Sequence, residues 1–532
     1  MRRTPSLPRF LARARLPAAR GWAYLRTPAL LVRKLTRVWR RSLMRSRYGQ
    51  LLTAGQFLPR SESPVGDRLF TVALPVWRVA EGHLRAAIAS VVNQSYGNWE
   101  LIALDDASPE PHVARVLAEA ARSDSRIRVL SRRTNAGIAL ASNEILAEAR
   151  GEYVAFLDHD DELHPRALEF VGRHLSLHPA TDWVFTDEDK LDERGRHLDP
   201  CLKPGWSRHL LLGFNYVSHL RTVRRAVLER VGGHRAGFDG AQDYDLALRT
   251  LAAGASFSHL PGILYHWRAT PGSMAAAAIA KPHANERALA ALLEHVEAFP
   301  RGGRSAGAVI LSNASVFRVR RRADPSLSCA VATTGEAWRE PASAAPRSVH
   351  PMVVTGLSPS ELVAAARSRG EDVIALPPPG GFTDEQLAEL VAVLQVPGTA
   401  AVAGRLTARR HVSCSGWVVL EDGTPADPCA GLHVADPGYL NLAVLPGRRI
   451  APPPFGWVAW RSTLIAAWDA AADVAEPWRL AAGWYRLGLE VVTTPDAGIR
   501  LRGPAPHPPA SPPPPDLPRT SPSRLALIGA LP

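Results

Sequence analysis

Between residues 67 and 300 the chain alternates short, continuous apolar runs with longer segments whose apolar residues recur at helical spacing. The runs predict strands at 70–76, 101–104, 127–130 and 153–157. The intervening segments predict helices at 80–93, 110–122 and 137–149, and a fourth helix that opens at Pro165. This alternation predicts an α/β fold with a mostly parallel sheet and helices on both faces. Strands that are apolar throughout agree with it, because both of their faces are covered.

The composition is that of a globular protein. Apolar residues make up 46% of the chain and charged residues 21%, which excludes wholesale disorder or a fibre. The four cysteines form no CxxC pair, which argues against a disulfide scaffold or a cysteine-rich zinc site and favours a reducing compartment. No apolar run approaches the roughly 18 residues of a membrane span. Arginines interrupt the N-terminus, so no signal peptide is predicted and we expect a cytoplasmic protein.

Residues 1–60 read as a basic arm. The first 50 residues contain 14 Arg and Lys and no acid, whereas the rest of the chain carries 49 basic and 50 acidic residues. Leu31, Leu35, Val38 and Trp39 recur at helical spacing among the basic residues, which is typical of a helix on an anionic membrane surface. This predicts contact with the cytoplasmic face of the inner membrane; a solvated arm or a helix packed on the body is the open alternative. The near-neutral body argues against a nucleic-acid partner.

Acidic residues cluster directly after three of the apolar runs, at 105–106, 158–162 and 187–189. Ligands of open α/β sheets bind at the carboxyl ends of the strands. Packed carboxylates need a cation among them, and their oxygens suit Mg²⁺ or Mn²⁺. Neither a GxxxxGK[ST] loop nor a GxGxxG motif after a strand is present. The pattern therefore favours a nucleotide diphosphate bound through a metal ion. For Asp161, capping of the following helix is the open alternative.

The sequence around these acids resembles the inverting glycosyltransferases of family 2, which have the GT-A fold. Six segments carry the resemblance between residues 67 and 275 in the family's order: 74–77, 104–108, 135–143, 156–161, 240–246 and 266–268. Segments 186–190, 203–206 and 215–219 resemble a rhamnosyltransferase-like subgroup that builds bacterial surface polysaccharides such as O-antigen. The resemblance departs from the family at Gln242, which replaces a glutamate, as it does in that subgroup.

The resemblance implies roles for particular residues. Those expected at the nucleotide-sugar donor are Pro75, Asp106, Asn135, Gly137, Asp158 and Asp160. Asp160 should hold Mn²⁺ or Mg²⁺, and His266 corresponds to an extra metal ligand of some members. Asp243 aligns with the general base; it opens a predicted helix, whose dipole favours the ionised carboxylate. A plain helix cap is the alternative at Asp243.

Five further residues are expected on the acceptor side or as supports of the fold: Glu188, Asp189, Trp206, His219 and Trp267. The indole rings suit stacking on sugars as well as burial in a core, and the sequence leaves both possibilities open.

The second half, 325–503, resembles the same fold without its acids. Residues 377–380 are Pro-Pro-Pro-Gly where the metal-binding acids would follow a strand, and Pro477 displaces the acid beside Glu476 where a second base would lie. We therefore expect a degenerate, inactive GT-A-like domain, with an unrelated α/β module as the alternative. Residues 504–532 form a proline-rich tail that is too poor in apolar residues for a core.

Together these features predict a metal-dependent inverting glycosyltransferase. It would transfer a hexose or deoxyhexose from a nucleotide-diphosphate donor to a growing bacterial cell-surface glycan or lipid-linked oligosaccharide. Partner enzymes of polysaccharide assembly are expected beside it. A nucleotidyltransferase ranks lower, because a glycine-rich, basic triphosphate loop should follow its first strand. The remaining alternative is a non-catalytic glycan-binding or scaffold protein of an assembly complex.

Overall fold

The protein is represented by a computed structural model. It describes residues 63–269, 282–298, 305–312, 316–333, 348–354, 358–379, 381–408, 411–415, 417–420, 424–427, 429–430, 447–449, 456–474, 476 and 478–500, and scattered positions at 52–59 and 513–520. The residues divide into two compact units, one of Tyr48–Ala298 with Ala308–Arg318 and the other formed chiefly by Val319–Pro532. The basic arm and the proline-rich tail fall almost entirely outside the described residues. Within the described part, no helix is both long and apolar enough to span a bilayer.

The first unit is built on one sheet. Its strands are β1 (Phe70–Val76), β2 (Trp99–Asp105), β3 (Ile127–Ser131), β4 (Tyr153–Phe156), β5 (Glu162–Leu163), β6 (Trp183–Leu191), β7 (His197–Cys201), β8 (Arg221–Arg224) and β9 (Phe257–Arg268). Its helices are α1 (Glu81–Val92), α2 (Pro111–Ser123), α3 (Ile138–Glu148), α4 (Ala167–Leu177), α5 (Arg208–Gly213), α6 (Arg225–Arg230), α7 (Gln242–Ala252) and α8 (Pro282–Glu297).

The strand order is β3-β2-β1-β4-β8-β6-β9-β5, with β7 beside β6. The pairs among β3, β2, β1 and β4 are parallel, as the strand–helix alternation predicts. Antiparallel pairing enters where β8 inserts between β4 and β6. The α/β fold class is thus confirmed, and the sheet is parallel in the half that binds ligands in such folds.

Apolar burial explains the first half of this sheet. Every residue of β1 and β4 is buried, because helices cover both faces. Helix α1 turns Leu84, Ile88 and Val91 onto the sheet, at the spacing of one helical face. The register then fixes the carboxyl edge: Val76 of β1 lies opposite Asp105, and Ala73 lies opposite Phe156 of β4. The acids that follow β2 and β4 therefore emerge at one edge.

One predicted boundary is wrong. The fourth helix begins at Ala167 rather than at Pro165, because the carbonyl of His164 first closes a turn by accepting a hydrogen bond from the amide of Ala167. Arg166 is the N-cap of this helix, so the capping role left open for Asp161 is not realised.

The second unit contains a second α/β sheet. Along the chain, β10 (Ser305–Ser312) and β11 (Val316–Arg321) come after the strands of the first sheet and before those of the second, and they pair with each other. The strands that follow are β12 (Ser328–Thr333), β13 (Ser348–Val353), β14 (Val373–Leu376), β15 (Thr399–Ala408), β16 (His411–Cys414), β17 (Val418–Leu420), β18 (Pro425–Ala426), β19 (Gly447–Arg449), β20 (Trp457–Trp460), β21 (Glu490–Arg500) and β22 (Arg519–Thr520). The helices are α9 (Pro359–Arg367), α10 (Asp384–Leu394), α11 (Arg461–Ala470) and α12 (Arg479–Arg486).

This second sheet repeats the pairing of the first. Its order is β13-β12-β14-β20-β15-β21-β19, with β16 beside β15, while β17, β18 and β22 form a separate small sheet. Strand β12 is parallel to β13 and β14, β20 is antiparallel to β14 and β15, and β15 is parallel to β21. The first unit has the same sequence of parallel and antiparallel pairs around β1, β4, β8, β6 and β9. The prediction of a second sheet of the same type is confirmed.

Candidate active site

Three predicted donor residues meet where Asp106, directly after β2, contacts the loop between β3 and α3. The buried carboxylate of Asp106 accepts hydrogen bonds from Asn135 Nδ2 at 2.8 Å, from the amide of Ala136 at 3.0 Å and from the amide of Gly137 at 2.9 Å. Gly137 has a φ of 88°, a conformation that favours glycine, and a Cβ there would lie 2.9 Å from Asp239 Oδ1. Asp106 therefore fixes the shape of this loop; its contact with a nucleoside stays a prediction.

The acidic segment after β4 is anchored at its backbone. The Nδ1 atom of His159 lies 3.2 Å from the carbonyl oxygen of Pro75 in β1, and the amide of Asp158 donates to Tyr265 Oη at 3.2 Å. Burial, reinforced by the nearby charge of Asp158, raises the pKa of Asp160 above its ordinary value. The carboxylates of Asp158 and Asp160 therefore form a concentration of negative charge at the carboxyl edge of the sheet.

Asp161, the next acid in the chain, supports the fold. Its fully buried carboxylate accepts hydrogen bonds from Tyr265 Oη at 2.6 Å and from the amide of Arg268 at 2.7 Å, which ties the segment to β9. Burial and the charges of Asp158 and Asp160 raise its pKa well above the ordinary value. Asp161 therefore acts as a tether between β4 and β9.

A buried arginine, Arg268, lies against the same segment and pairs with the carboxylate of Glu162 but not with those of Asp158 and Asp160. Arg268 donates from Nε to the carbonyl oxygen of Asp160 at 2.8 Å and from Nη2 to Glu162. Among the described residues, no salt bridge reaches the carboxylate of Asp158 or Asp160. The oxygen donors of these two groups fit Mg²⁺ or Mn²⁺.

Asp243 lies in the first turn of α7, as predicted. The helix begins at Gln242 and its N-cap is Ala241, so a plain capping role for Asp243 is not realised. Its Oδ2 accepts a hydrogen bond from Asn215 Nδ2 at 2.8 Å, and its Oδ1 accepts one from the amide of Tyr244 at 2.9 Å. These two hydrogen bonds fix the orientation of the Asp243 carboxylate in the first turn of α7.

Arg221 of β8 connects Asp243 to the acidic segment. This side chain is buried, its guanidinium carbon lies 4.5 Å from the ring centroid of Phe156, and its Nη1 lies 4.0 Å from Asp243 Oδ2. Phe156 is the last residue of β4 and precedes Asp158 by two positions. The helix that carries Asp243 and the strand that leads into Asp158 and Asp160 therefore flank one arginine. Arg221 was not predicted, because the short and polar sequence of β8 does not have the pattern of a strand.

His266 of β9 is linked to another predicted residue. Its Nδ1 lies 2.6 Å from Asp189 Oδ1, and His197 Nδ1 lies 2.8 Å from Asp189 Oδ2. Although burial opposes it, these hydrogen bonds lower the pKa of Asp189. The ligand atoms of Asp189, His197 and His266 all lie within 4.8 Å of one another, and this group of three does not include Asp160. The pairing of His266 with Asp160 at one metal ion stays a prediction. His197 was not predicted.

The other acceptor-side candidates mostly make contacts within the unit. Buried Glu188 pairs with Lys203 Nζ at 2.9 Å, and Lys203 also donates to the carbonyl oxygen of His219. The ring of Trp206 stacks on Phe257 with centroids 4.4 Å apart.

The remaining two candidates, His219 and Trp267, lie together; Trp267 is a residue of β9, and His219 packs against that strand. The ring of His219 stacks on Tyr265 at 4.6 Å and lies 5.6 Å from the partly exposed ring of Trp267. Of the five acceptor-side candidates, His219 and Trp267 are thus grouped next to the strand that carries His266, whereas Glu188 and Trp206 support the fold.

Comparisons with known proteins identify a family for this unit. Residues 71–232 match the family described as Glycosyl transferase family 2. The chain is 42% identical over 228 residues to the O-antigen biosynthesis protein RfbC of Myxococcus xanthus, which is 43% of this chain and 18% of that protein. It is 31% identical over 194 residues to the putative glycosyltransferase EpsE of Bacillus subtilis, which is 35% of this chain and 69% of that protein. A crystal structure of S. aureus TarS 1-349 with UDP-GlcNAc superimposes over 43% of this chain and 66% of that one, with 20% identity and a TM-score of 0.36.

Proposed function

Because the chain belongs to glycosyl transferase family 2, we propose that it transfers a sugar from a nucleotide-diphosphate donor to a glycan acceptor, with inversion and with the help of a divalent cation. Its matched segment spans only 18% of the length of RfbC. The activity of the whole chain is therefore argued here from its own residues.

The observation that carries this proposal is the arrangement around Arg221. Asp158 and Asp160 follow the strand whose last residue packs on the Arg221 guanidinium, and Asp243 lies 4.0 Å from the same guanidinium. Carboxylates with two different tasks thus approach one another at the carboxyl edge of a sheet, where such folds bind ligands. The carboxylates of Asp158 and Asp160 are suited to binding a cation and a diphosphate, and the carboxylate of Asp243 is suited to accepting a proton.

Asp160 would hold the metal ion, with His266 as a further ligand, because carboxylate and imidazole donors both suit Mn²⁺. When bound, the ion supplies a Lewis acid that stabilises the charge of the departing nucleotide diphosphate. Asp158 and the loop fixed by Asp106 and Asn135 would position the ribose and base of the donor.

Asp243 would accept the proton of the attacking hydroxyl group. Its hydrogen bonds from Asn215 and from the amide of Tyr244 fix the plane of the carboxylate, so that one lone pair can face the acceptor. A general base of this kind contributes roughly 10²–10⁴-fold to the rate. Direct displacement by a hydroxyl group that approaches opposite the leaving group inverts the anomeric centre.

The acceptor is proposed to be a bacterial cell-surface glycan or a lipid-linked oligosaccharide, since RfbC is named for O-antigen biosynthesis. We further propose that the protein works in the cytoplasm at the inner membrane, to which residues 1–50 would bind. The second unit is proposed to be inactive: β14 ends at Leu376 and is followed by three prolines, so this strand end supplies no carboxylate to a metal.

The proposal is tested by incubating the full-length protein with a panel of nucleotide sugars and Mn²⁺ and measuring the nucleotide diphosphate released, with and without lipid-linked acceptor. Turnover that needs Mn²⁺ and is lost in Asp160→Asn is expected. The matched control is Asp192→Asn, which changes a turn carboxylate whose partners are Arg194 and Arg196. Absence of both turnover and metal-dependent nucleotide binding would favour the scaffold alternative.

A further inference from the structure

We propose that Asp189 is a positioning residue that holds the His266 ring with Nε2 free to bind the divalent cation. This inference rests on the proposed function, because it concerns the cation that the donor requires. It adds to that function the residue that orients a metal ligand.

The strand register places the two residues side by side. Asp189 of β6 lies opposite His266 of β9 in a parallel pair, and both side chains are buried. The Nδ1–Oδ1 distance is 2.6 Å, which is typical of a charge-assisted hydrogen bond. Both residues lie on strands that pair with each other, so the contact follows from the pairing of β6 with β9 and does not depend on a loop.

The direction of this hydrogen bond determines the chemistry of the ring. An ionised carboxylate only accepts hydrogen bonds, so the proton must lie on His266 Nδ1. In the neutral ring Nε2 then carries the lone pair, which is the form that binds a metal ion. Carboxylates that orient metal-binding histidines in this way commonly change metal affinity 10- to 100-fold when they are replaced.

Two further contacts bring His266 to the acidic segment. In the antiparallel pair of β5 and β9, His266 lies opposite Glu162, two residues after Asp160. Two residues further along β9, Arg268 donates from Nε to the carbonyl oxygen of Asp160 at 2.8 Å. The strand that carries His266 thus runs along the segment that carries Asp160, and Asp189 lies on the opposite side of that strand.

His197 gives the arrangement a second anchor. Its Nδ1 lies 2.8 Å from the other oxygen of Asp189, and its ring centroid lies 4.6 Å from that of His266 with the planes at 74°. One carboxylate thus orients two rings. The competing arrangement is a cation held by Asp189, His197 and His266 themselves, and the experiment is designed to separate the two.

The experiment is calorimetric titration of Mn²⁺ into the full-length protein, with and without a nucleotide diphosphate. We expect one ion per chain, with affinity reduced 10- to 100-fold in Asp189→Asn, because an amide accepts from one ring and presents N–H groups to the other. His266→Gln should be at least as damaging, and Asp189→Asn should add nothing in its presence. His197→Gln should change the affinity less than threefold, and Asp192→Asn should leave it unchanged.

Catalysis gives a second readout. At saturating Mn²⁺, Asp189→Asn should recover most of its kcat with an unchanged KM for the donor, whereas simple loss of structure would lower kcat at every Mn²⁺ concentration. Should Asp189→Asn fail to fold, nitrogen NMR of ¹⁵N-histidine-labelled wild-type protein reports the tautomer directly. A protonated Nδ1 on His266 is expected, and a protonated Nε2 would overturn the proposal.

Other outcomes separate this inference from the proposed function. Unchanged Mn²⁺ affinity in His266→Gln or Asp189→Asn would overturn the role of Asp189. Two bound ions, of which one is lost in both His197→Gln and Asp189→Asn, would overturn it in favour of the separate site. Unchanged affinity in Asp160→Asn would instead contradict the proposed function.

Discussion

The two sheets share a pairing pattern but differ at their carboxyl edges. In the first unit β2 and β4 lead into Asp106 and Asp158, whereas in the second unit β14 leads into Pro377. The second core is nevertheless well packed around buried Trp457 and Trp484, whose rings meet edge to face at 6.3 Å. The fold therefore needs its apolar strands and not its acids, and chemistry is an addition to the scaffold.

The units also differ in the polar groups that they bury. The first unit contains the ion pair of Glu188 and Lys203, with side chains 11% and 1% exposed. In the second unit the ion pairs Arg367–Asp469, Arg369–Glu371 and Arg486–Asp473 each have at least one partner more than a quarter exposed. Buried charges are costly to desolvate and weak as a source of stability. The Glu188–Lys203 pair is therefore a suitable place to measure the cost of a buried charge.

The largest effect is expected at Asp243; in the second unit, helix α12, which follows Glu476, has no acid in its first turn. Asp243→Asn keeps an oxygen for the amide of Tyr244 but cannot accept a proton at neutral pH. Turnover should fall roughly 10²–10⁴-fold while the donor affinity is retained. The measurements are initial rates and nucleotide titration, with Asp192→Asn as the matched control; a loss of less than threefold would remove Asp243 from the role of base.

The buried ion pair gives the next largest effect. Lys203→Met leaves Glu188 buried without its cation and also removes the hydrogen bond to the carbonyl oxygen of His219. The free energy of unfolding should fall by about 3–5 kcal/mol. Chemical denaturation followed by tryptophan fluorescence measures this change.

A double variant distinguishes the loss of pairing from a general loss of packing. Glu188→Gln with Lys203→Met should recover part of the stability that Lys203→Met removes, because no unpaired charge is then buried. Equal stability of the single and double variants would show that Glu188 is not buried as an anion, and would favour its role towards the acceptor.

Acid should destabilise the first unit through a buried histidine. Burial lowers the pKa of His234 to about 3, and among the described residues neither of its ring nitrogens has a hydrogen-bond partner. The folded pKa is below the unfolded value of about 6.5, so below pH 6.5 the unfolded chain binds the additional proton and stability falls with pH. No buried histidine occurs among the described residues of the second unit.

At pH 5 we expect His234 to lower the free energy of unfolding by about 2 kcal/mol, because this pH lies about 1.5 units below the pKa of histidine in the unfolded chain. This effect is measured as the difference between wild type and His234→Leu in the change of unfolding free energy from pH 7 to pH 5. This difference cancels the raised pKa values of Asp160 and Asp161, which act in the opposite direction. Parallel pH profiles of the two proteins would show that His234 is solvated.

The sequence predicted the parts of this comparison that depend on local apolar pattern. Strands β1, β2 and β4 and helices α1 to α3 lie within two residues of their predicted ends, since each is a buried run or a single apolar face. The start of α7 beside Asp243 was also predicted. The acids after β2 and β4 were read correctly as a group because these parallel strands end at one edge. The prediction was wrong for Asp187, Glu188 and Asp189, which lie within β6 and do not follow a strand.

The rest depends on contacts between distant segments. Arg221 lies in β8, whose four residues are too short and too polar to read as a strand, and its neighbours Phe156 and Asp243 are far away in the chain. The link between Asp189 and His197 arises from the hairpin of β6 and β7, which was not predicted from the sequence. Such contacts follow from the register of the sheet, which the apolar pattern alone does not specify.

The smallest effect is expected at Glu476, the second unit's nearest sequence counterpart of a base. This residue is exposed and is followed by Pro477, and it belongs to no helix, whereas Asp243 lies within the first turn of α7. Glu476→Gln should therefore change turnover less than twofold and stability by less than about 0.5 kcal/mol, as for most surface substitutions. The same rate assay used for Asp243→Asn measures it. A loss of more than tenfold would mean that the second unit contributes to transfer, and the contrast between an active and an inactive edge would then have to be abandoned.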